Sequence, residues 1–217
     1  MSSVSEGSAR AGRPRSEDVD HAVRTATLAL LEEVGYARLR MDDVAARAGV
    51  GKAALYRRWP SKAALTLTHL VHDLAPRPTR DTGSLRGDLR LIARGTVERM
   101  THPRVRPVLP ELMAELLRTP ELRQVFETAC LVPEREQVLA VAVRAVTRGE
   151  LTGVPDVDWA HAQLIGPVFA WLHLLGREAD DVAADRLADD LAATWTARAG
   201  APDTPDVPRT PRAEGLL

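Results

Sequence analysis

Cysteine is almost absent from this chain: Cys130 is the only one in 217 residues. A single thiol excludes an intramolecular disulfide and a zinc site built from cysteines, and it suits a reducing cytoplasm. No apolar run reaches the roughly 18 residues that a membrane-spanning helix needs. The N-terminus has no apolar stretch behind its charges, which excludes a secretory signal. Aromatics are 4% of the residues, and glycine and proline stand at isolated punctuation points, without the regular rhythm of strands and turns. That pattern favours an all-α chain. Several enzyme signatures are missing: a glycine-rich phosphate loop, a nucleophile elbow, a His-Glu-x-x-His pair and a Cys/His ligand set.

Charge is balanced overall at −1 but unevenly placed. Residues 1–75 carry 11 basic and 9 acidic side chains, and the rest carry 18 and 21, so the N-terminal third is mildly positive. Between Val44 and His72 there is no Asp or Glu, yet Arg47, Lys52, Arg57, Arg58 and Lys62 all fall there.

In chain order, residues 1–15 are a Ser/Gly/Ala/Arg arm carrying Arg13 and Arg15, too apolar-poor to order itself. Ser16 is a candidate cap, followed by Glu17, Asp18 and Asp20 where a helix dipole favours them. Val19, Val23, Ala26, Leu30 and Val34 then trace one apolar face, and Gly35 ends the helix. A second helix is expected over 41–48 and a third over 52–59, with Gly49 between them in a tight turn. Pro60 stops the third helix, and Ser61 caps a fourth that runs to Pro76. A linker over 77–83 separates a domain at 16–76 from one at 84–198, and residues 199–217 form a proline-rich, disordered tail. In the second domain, amphipathic helices are expected near 84–103 and 105–117. A long helix over 121–148 follows, kinked or split by Pro133. The segment from Trp159 to Leu175 is apolar nearly all round and needs a second covering surface. A last helix spans 181–198.

Two short helices joined by a glycine turn make a helix-turn-helix, here over 40–59, whose second helix lies in the DNA major groove. The exposed face of that helix offers Lys52, Ala53, Tyr56 and Arg57, with Arg58 beside it. Arg matches guanine bidentately, Lys and Tyr hold phosphate, and Ala meets a thymine methyl. Arg13 and Arg15 on the arm, and Lys62 in the next helix, are further candidate DNA contacts. A solvated basic face is the alternative on spacing and charge alone.

The run from Gly35 to Leu65 resembles the DNA-binding domain of TetR-family transcriptional regulators. Gly35, Tyr36, Val44, Ala45, Ala48, Gly49, Val50, Lys52, Leu55, Tyr56, Trp59, Ser61, Lys62 and Leu65 match the family pattern at fixed spacing. Arg148-Gly149-Glu150-Leu151 and the Gly166-Pro167 helix resemble one regulator subgroup more loosely. Three positions depart. Arg40 stands where the family commonly has a capping Thr or Ser, so Asp42 or Asp43 is expected to cap and Arg40 to contact phosphate. Gly51 and Ala54 replace two hydroxyl residues.

The resemblance implies an all-α architecture of about nine helices: a three-helix DNA-binding domain joined by a fourth helix to a helical ligand-binding and dimerisation domain. It implies a cytoplasmic, ligand-responsive regulator, a repressor by preference, that binds a palindromic double-stranded DNA operator as a homodimer and is released by a small-molecule effector. No cofactor and no membrane partner are expected. Leu164, Val168, Trp171, Leu172, Leu175, Leu187, Leu191 and Trp195 are the expected dimer interface. Met100, Met113, Phe126, Cys130, Phe169 and Trp171, with His102, His161 or His173 as polar handles, are candidate pocket residues, with ordinary core packing as the alternative for each. His69 and His72 are read as solvated, and the aspartates at 180–190 as a wet face. The rival functions are a helical enzyme and an interaction protein without sequence-specific DNA binding.

Overall fold

The computed structural model describes residues 14–199, with the side chains of 14–16, 72, 198 and 199 outside the described set. Within that range the chain is helical throughout, with no strand among the described residues. We number nine helices. They are α1 (Pro14–Arg38), α2 (Met41–Ala48), α3 (Lys52–Arg58), α4 (Lys62–Leu74), α5 (Leu85–Thr101) and α6 (Leu109–Arg118), then α7 (120–147), α8 (157–174) and α9 (Asp181–Ala199). The expected start at Ser16 is two residues late. Pro14 and Arg15 already belong to α1, so the loose arm does not extend to Arg15. Arg13, the rest of the arm and the tail beyond 199 lie outside the described residues, as does the side chain of Arg15. Residues 105–108, expected as the start of α6, form turns ahead of Leu109.

Helix α7 shows what a proline does to a long helix. Its segments Pro120–Phe126 and Val132–Thr147 are joined by a wide π turn, Glu127–Leu131. Pro133 has no N–H, and its ring would strike the carbonyl of residue 129 in a regular α-helix; widening the turn avoids the clash. Helix α8 also carries a proline, Pro167, inside Val157–Phe169, and a π turn follows it at Ala170–Leu174. Asp156, not Asp158, caps α8 by accepting from the Trp159 N–H at 2.9 Å.

The buried side chains form two clusters. One joins α1–α4 (Val23, Leu31, Val44, Leu55, Leu65, Leu70) to α6 and the first part of α7 (Leu109, Leu112, Leu116, Leu122, Cys130). The other joins α5, the second part of α7, α8 and α9 through Leu89, Val138, Val141, Leu164, Leu191 and Trp195. Leu164, Val168, Leu172, Leu187, Leu191 and Trp195 are therefore buried within their own chain. That corrects their assignment to the dimer interface: the second cover of α8 is supplied by α5, α7 and α9. Trp171 and Leu175 are exposed, as is Leu174.

Arg148-Gly149-Glu150 has a clear physical role. Gly149 takes a left-handed backbone (φ 76) that turns the chain after α7. Glu150 Oε2 then accepts the Leu85 N–H at 2.7 Å at the start of α5, while its Oε1 accepts from Arg148 Nε at 2.6 Å. Arg148 also reaches Asp81 at 2.9 Å and Asp88 at 3.3 Å. Asp88 is fully buried and accepts from the Thr82 N–H and hydroxyl, both at 2.8 Å, and from Arg144 at 3.0 Å. Burial works against its charge, but those donors outweigh it and hold the carboxyl below its usual range.

The aspartates of α9 are not simply a wet face. Asp189, Asp185 and Asp181 pair with Arg86, Arg90 and Arg94 of α5, so two i, i+4 rows meet antiparallel. Asp180 instead caps α9 through the Ala183 N–H at 3.0 Å.

Removing the Asp88 carboxylate takes from Arg144 its close partner and leaves the Thr82 donors unpaired at a buried site. Asp88→Ala is expected to lower unfolding stability by about 3 kcal/mol, read by urea denaturation. A loss under about 0.5 kcal/mol would mean that water replaces the carboxylate.

Candidate nucleic-acid interface

The turn between α2 and α3 is built on Gly49, whose φ of 65 is one that side-chain-bearing residues rarely adopt. Its N–H bonds back to Ala46 at 3.3 Å, and the Val50 N–H reaches Ala45 at 3.0 Å, closing α2. Helix α3 starts at once from Gly51 in extended backbone. Leu55 and Trp59 point inward and are buried, which leaves Lys52, Ala53, Tyr56, Arg57 and Arg58 outward and exposed on one short surface. The residues expected to read DNA are therefore brought together on one face.

No side chain caps α2. Neither Asp42 nor Asp43 takes that role, which corrects the expectation. Asp42 is instead bonded to Lys52 of α3 at 2.7 Å. Two further cations of the sequence's acid-free stretch also meet acids from elsewhere. Arg47 holds Glu33 through both guanidinium nitrogens at 2.6 Å each, and Arg58 is bonded to Asp20. The pairing lowers the Glu33 carboxyl and raises the Arg47 guanidinium. Arg40 and Arg57 are exposed, and their side chains make no hydrogen bond or ion pair among the described residues. They are the two cations of this surface left open for a phosphate or a base edge.

Lys62, an expected DNA contact, is engaged within its own domain. Its Nζ donates to the Tyr36 carbonyl at 2.9 Å and sits 4.2 Å from the centroid of the Tyr36 ring. These carbonyls lie where Gly35 (φ 75, ψ 166) breaks α1, so a cation there satisfies helix-end acceptors. Ser61 caps α4 by accepting the Ala64 N–H at 3.1 Å. The Ser61-Lys62 pair thus joins the start of α4 to the end of α1. Tyr36 is buried, and that burial, reinforced by Glu115 and Glu111 of α6, pushes its hydroxyl up to about 12.

His69 is buried against Trp59, with ring centroids 5.3 Å apart, so it is not the solvated residue expected. Burial, with Arg24 nearby, lowers its pKa to about 4 despite Asp20. The side chain of His72 lies outside the described residues. No group of three or more metal-ligating side chains occurs among the described residues.

The candidate effector residues are mostly packed. Cys130 is buried in the N-terminal cluster, with Met100, Met113, Phe126 and Phe169 packed against it. Burial raises the Cys130 thiol to about 12, so the thiolate needed for redox chemistry is suppressed. His161 is not an open handle either: its Nε2 meets Glu134 Oε2 at 2.7 Å, and Glu134 Oε1 accepts from Arg99 at 2.7 Å, all inside the fold. His173 stacks against Phe169, and burial lowers its pKa. Trp171 faces a groove of 210 Å³ on the surface of α8 and α9. Of these candidates, only His102 lines a cleft of 620 Å³ between the end of α4, the linker, α5 and α7. Sequence reasoning missed this cleft, because Arg77, Arg80, Arg94 and Gln137 converge only through the packing of three separate segments.

Comparison with known proteins agrees with this geometry. Residues 23–67 match the family model described as "Bacterial regulatory proteins, tetR family", and residues 79–191 match "Tetracyclin repressor-like, C-terminal domain". The chain is 30% identical over 171 residues to an uncharacterized HTH-type transcriptional regulator, YdeS, of Bacillus subtilis, covering 78% of this chain and 86% of the relative. The chain belongs to the TetR family. A second TetR relative, the DNA-binding transcriptional repressor TetR of Mycobacteroides abscessus, is 33% identical over 180 residues, covering 82% of this chain and 93% of its own. The crystal structure of the TetR family regulator SCO0332 superimposes with a TM-score of 0.60 at 28% identity, covering 81% of this chain and 97% of that one. The protein is accordingly a TetR-type DNA-binding transcriptional regulator with an all-helical fold. No helix among the described residues is long and apolar enough to cross a membrane.

The acids that neutralise the TetR recognition surface must be displaced, or tolerated, when phosphates arrive. Asp42→Asn and Asp20→Asn are each expected to tighten binding to bulk DNA roughly two- to fivefold at low salt, by fluorescence anisotropy. Unchanged affinity in both variants would show that these pairs open at no cost. His69 generates a pH prediction. Its folded pKa is depressed, so its contribution is present above the unfolded value and is lost as pH falls towards the folded one. Unfolding stability is expected to drop by about 2 kcal/mol more between about pH 7 and pH 5 in the wild type than in His69→Phe, by denaturant titration. Parallel pH profiles would contradict the buried, neutral imidazole.

Proposed function

We propose that this protein is a homodimeric repressor in the cytoplasm that binds a two-fold symmetric operator and leaves it when a small molecule occupies its C-terminal half. The observation that carries this reading is the exposed α3 surface, with Arg57 and Arg40 unpaired on a scaffold whose other nearby cations are engaged. Arg57 reads a base edge, Arg40 holds phosphate, Arg58 holds phosphate once Asp20 yields it, Tyr56 contacts the backbone and Ala53 meets a thymine methyl. Lys52 joins them once Asp42 yields it. Arg13 and Arg15 are assigned to the flanking backbone or minor groove. Lys62 acts through the fold and is dropped from the contact set.

One recognition helix of seven residues covers only a few base pairs, so a second copy about 34 Å away, or a multiple of that, multiplies affinity and sets the operator's symmetry. The dimer surface is the exposed apolar strip of α8 and the start of α9: Trp171, Leu174, Leu175 and Val182, with Trp159 further along α8. An apolar patch of this kind, outside the chain's own core, is what a two-fold partner would cover. The Mycobacteroides relative is named a repressor, which supports the sign of the regulation.

Selection of bound sequences from random DNA tests the reading; it is expected to enrich a palindromic site, and enrichment of none would sink it. Arg57→Ala is expected to cost about 1–3 kcal/mol on that site and to relax preference at one base pair. An equal loss on every sequence would make Arg57 a phosphate contact. The double substitution Leu174→Glu, Leu175→Glu is expected to give a folded monomer by light scattering with weakened operator binding. A wild type that is already monomeric at micromolar concentration would remove the dimer from the model of action.

A further inference from the structure

The cleft of 620 Å³ at the domain junction is rich in arginine. Four arginines line it, Arg77, Arg80, Arg94 and Arg99, against two acids, Asp73 and Glu98. Its volume falls within the roughly 300–1,000 Å³ typical of small-molecule sites. Three of the arginines are spoken for only weakly or not at all. Arg77 and Arg80 are exposed, and their side chains make no hydrogen bond or ion pair among the described residues. Arg94 is the loose rung of the α5–α9 ladder. Its contacts to Asp185 and Asp181 are 3.4 and 3.5 Å, and its Nε is buried without a hydrogen-bond partner among the described residues. Arg99, by contrast, is fixed by Glu134 and Thr96, and its charge is already paired. The linker that carries Arg77 is itself anchored, because Gln137 of α7 donates to the Arg77 carbonyl. The lining also includes the apolar side chains of Ala75, Pro78, Leu91 and Ile92.

We propose that this cleft is a binding site for a small organic carboxylate with an apolar body. Forked guanidinium groups match a carboxylate in geometry and charge, and the apolar lining receives the body. The cleft is walled by Asp73 and Ala75 at the end of α4, by the linker, and by α5 and α7. An occupant therefore bridges the DNA-binding half and the remainder, and it changes DNA affinity only as far as it favours one relative placement. This consequence rests on the regulator reading above; the binding itself does not.

The test uses the full-length protein with phenylacetate and 4-phenylbutyrate as probes, and their neutral primary amides as controls. Calorimetry is expected to show saturable binding of a carboxylate, at least about tenfold weaker for its amide and for the Arg77→Ala, Arg80→Ala double variant. These side chains are exposed and unpaired, so the variant is expected to keep the wild-type melting temperature. The carboxylate–amide comparison on the wild type stands even where the variant does not fold. Equal binding of acid and amide, unchanged binding in the double variant, or no binding of either acid up to about 1 mM overturns the proposal. DNA binding is measured on the same samples. Intact palindrome binding with no carboxylate binding refutes this site and leaves the regulator reading standing. Saturable carboxylate binding by a protein that selects no DNA site supports this site and refutes the regulator reading.

Discussion

Helix α4 is buried on more than one side, and the remainder of the molecule is arranged around that constraint. Leu65, Leu67, Leu70 and Leu74 are all buried, and their spacing spreads them around the helix instead of along one stripe. Each fully buried leucine is worth about 1.5–3 kcal/mol, so α4 cannot leave either neighbour without a large loss. On one side it packs with α1; on the other it meets α5, α6 and α7. The DNA-facing half therefore has no private core. Its apolar cluster runs on into α6 and α7 up to Cys130.

That shared core gives helix α3 a rigid base. Helix α3 is only seven residues, too short to be stable alone. It is held by Leu55 and Trp59 beneath, by His69 of α4 against Trp59, and by the Gly49 turn ahead. The Lys62 contact to Tyr36 ties α4 to the end of α1, and Tyr36 lies close enough to Glu111 and Glu115 of α6 to feel their charge. Helices α3 and α6 thus share one continuous packed cluster.

The second half is organised by charge as well as by apolar packing. The buried Asp88 gathers Thr82, Arg144 and Arg148, and Glu150 caps α5 beside it. The arginine–aspartate ladder then locks α5 to α9 along their length. Such partly exposed pairs add little stability individually, but their register fixes how the two helices slide against each other. With the interior closed in this way, the apolar strip of α8 and the arginine-lined cleft stay open to solvent among the described residues.

Much of the fold was legible from residue order, because helix signals are local. Gly49 before a seven-residue amphipathic run, Ser61 before α4, and Pro133 inside a long apolar pattern each act within a few residues of themselves. The outward set on α3 was legible too, since Leu55 and Trp59 fix which face turns in. Charge was not. The stretch from Val44 to His72 contains no acid, yet Glu33, Asp42 and Asp20 arrive from α1 and α2 to neutralise Arg47, Lys52 and Arg58. Likewise, an all-apolar helix announced that it must be covered, but only the packing of α5, α7 and α9 decided that most of the cover comes from its own chain. Sequence by itself determines the elements and their inward faces, through interactions a few residues long. Which charges meet, and which apolar residues remain for a partner, depends on contacts between segments tens of residues apart, and only the tertiary structure decides those.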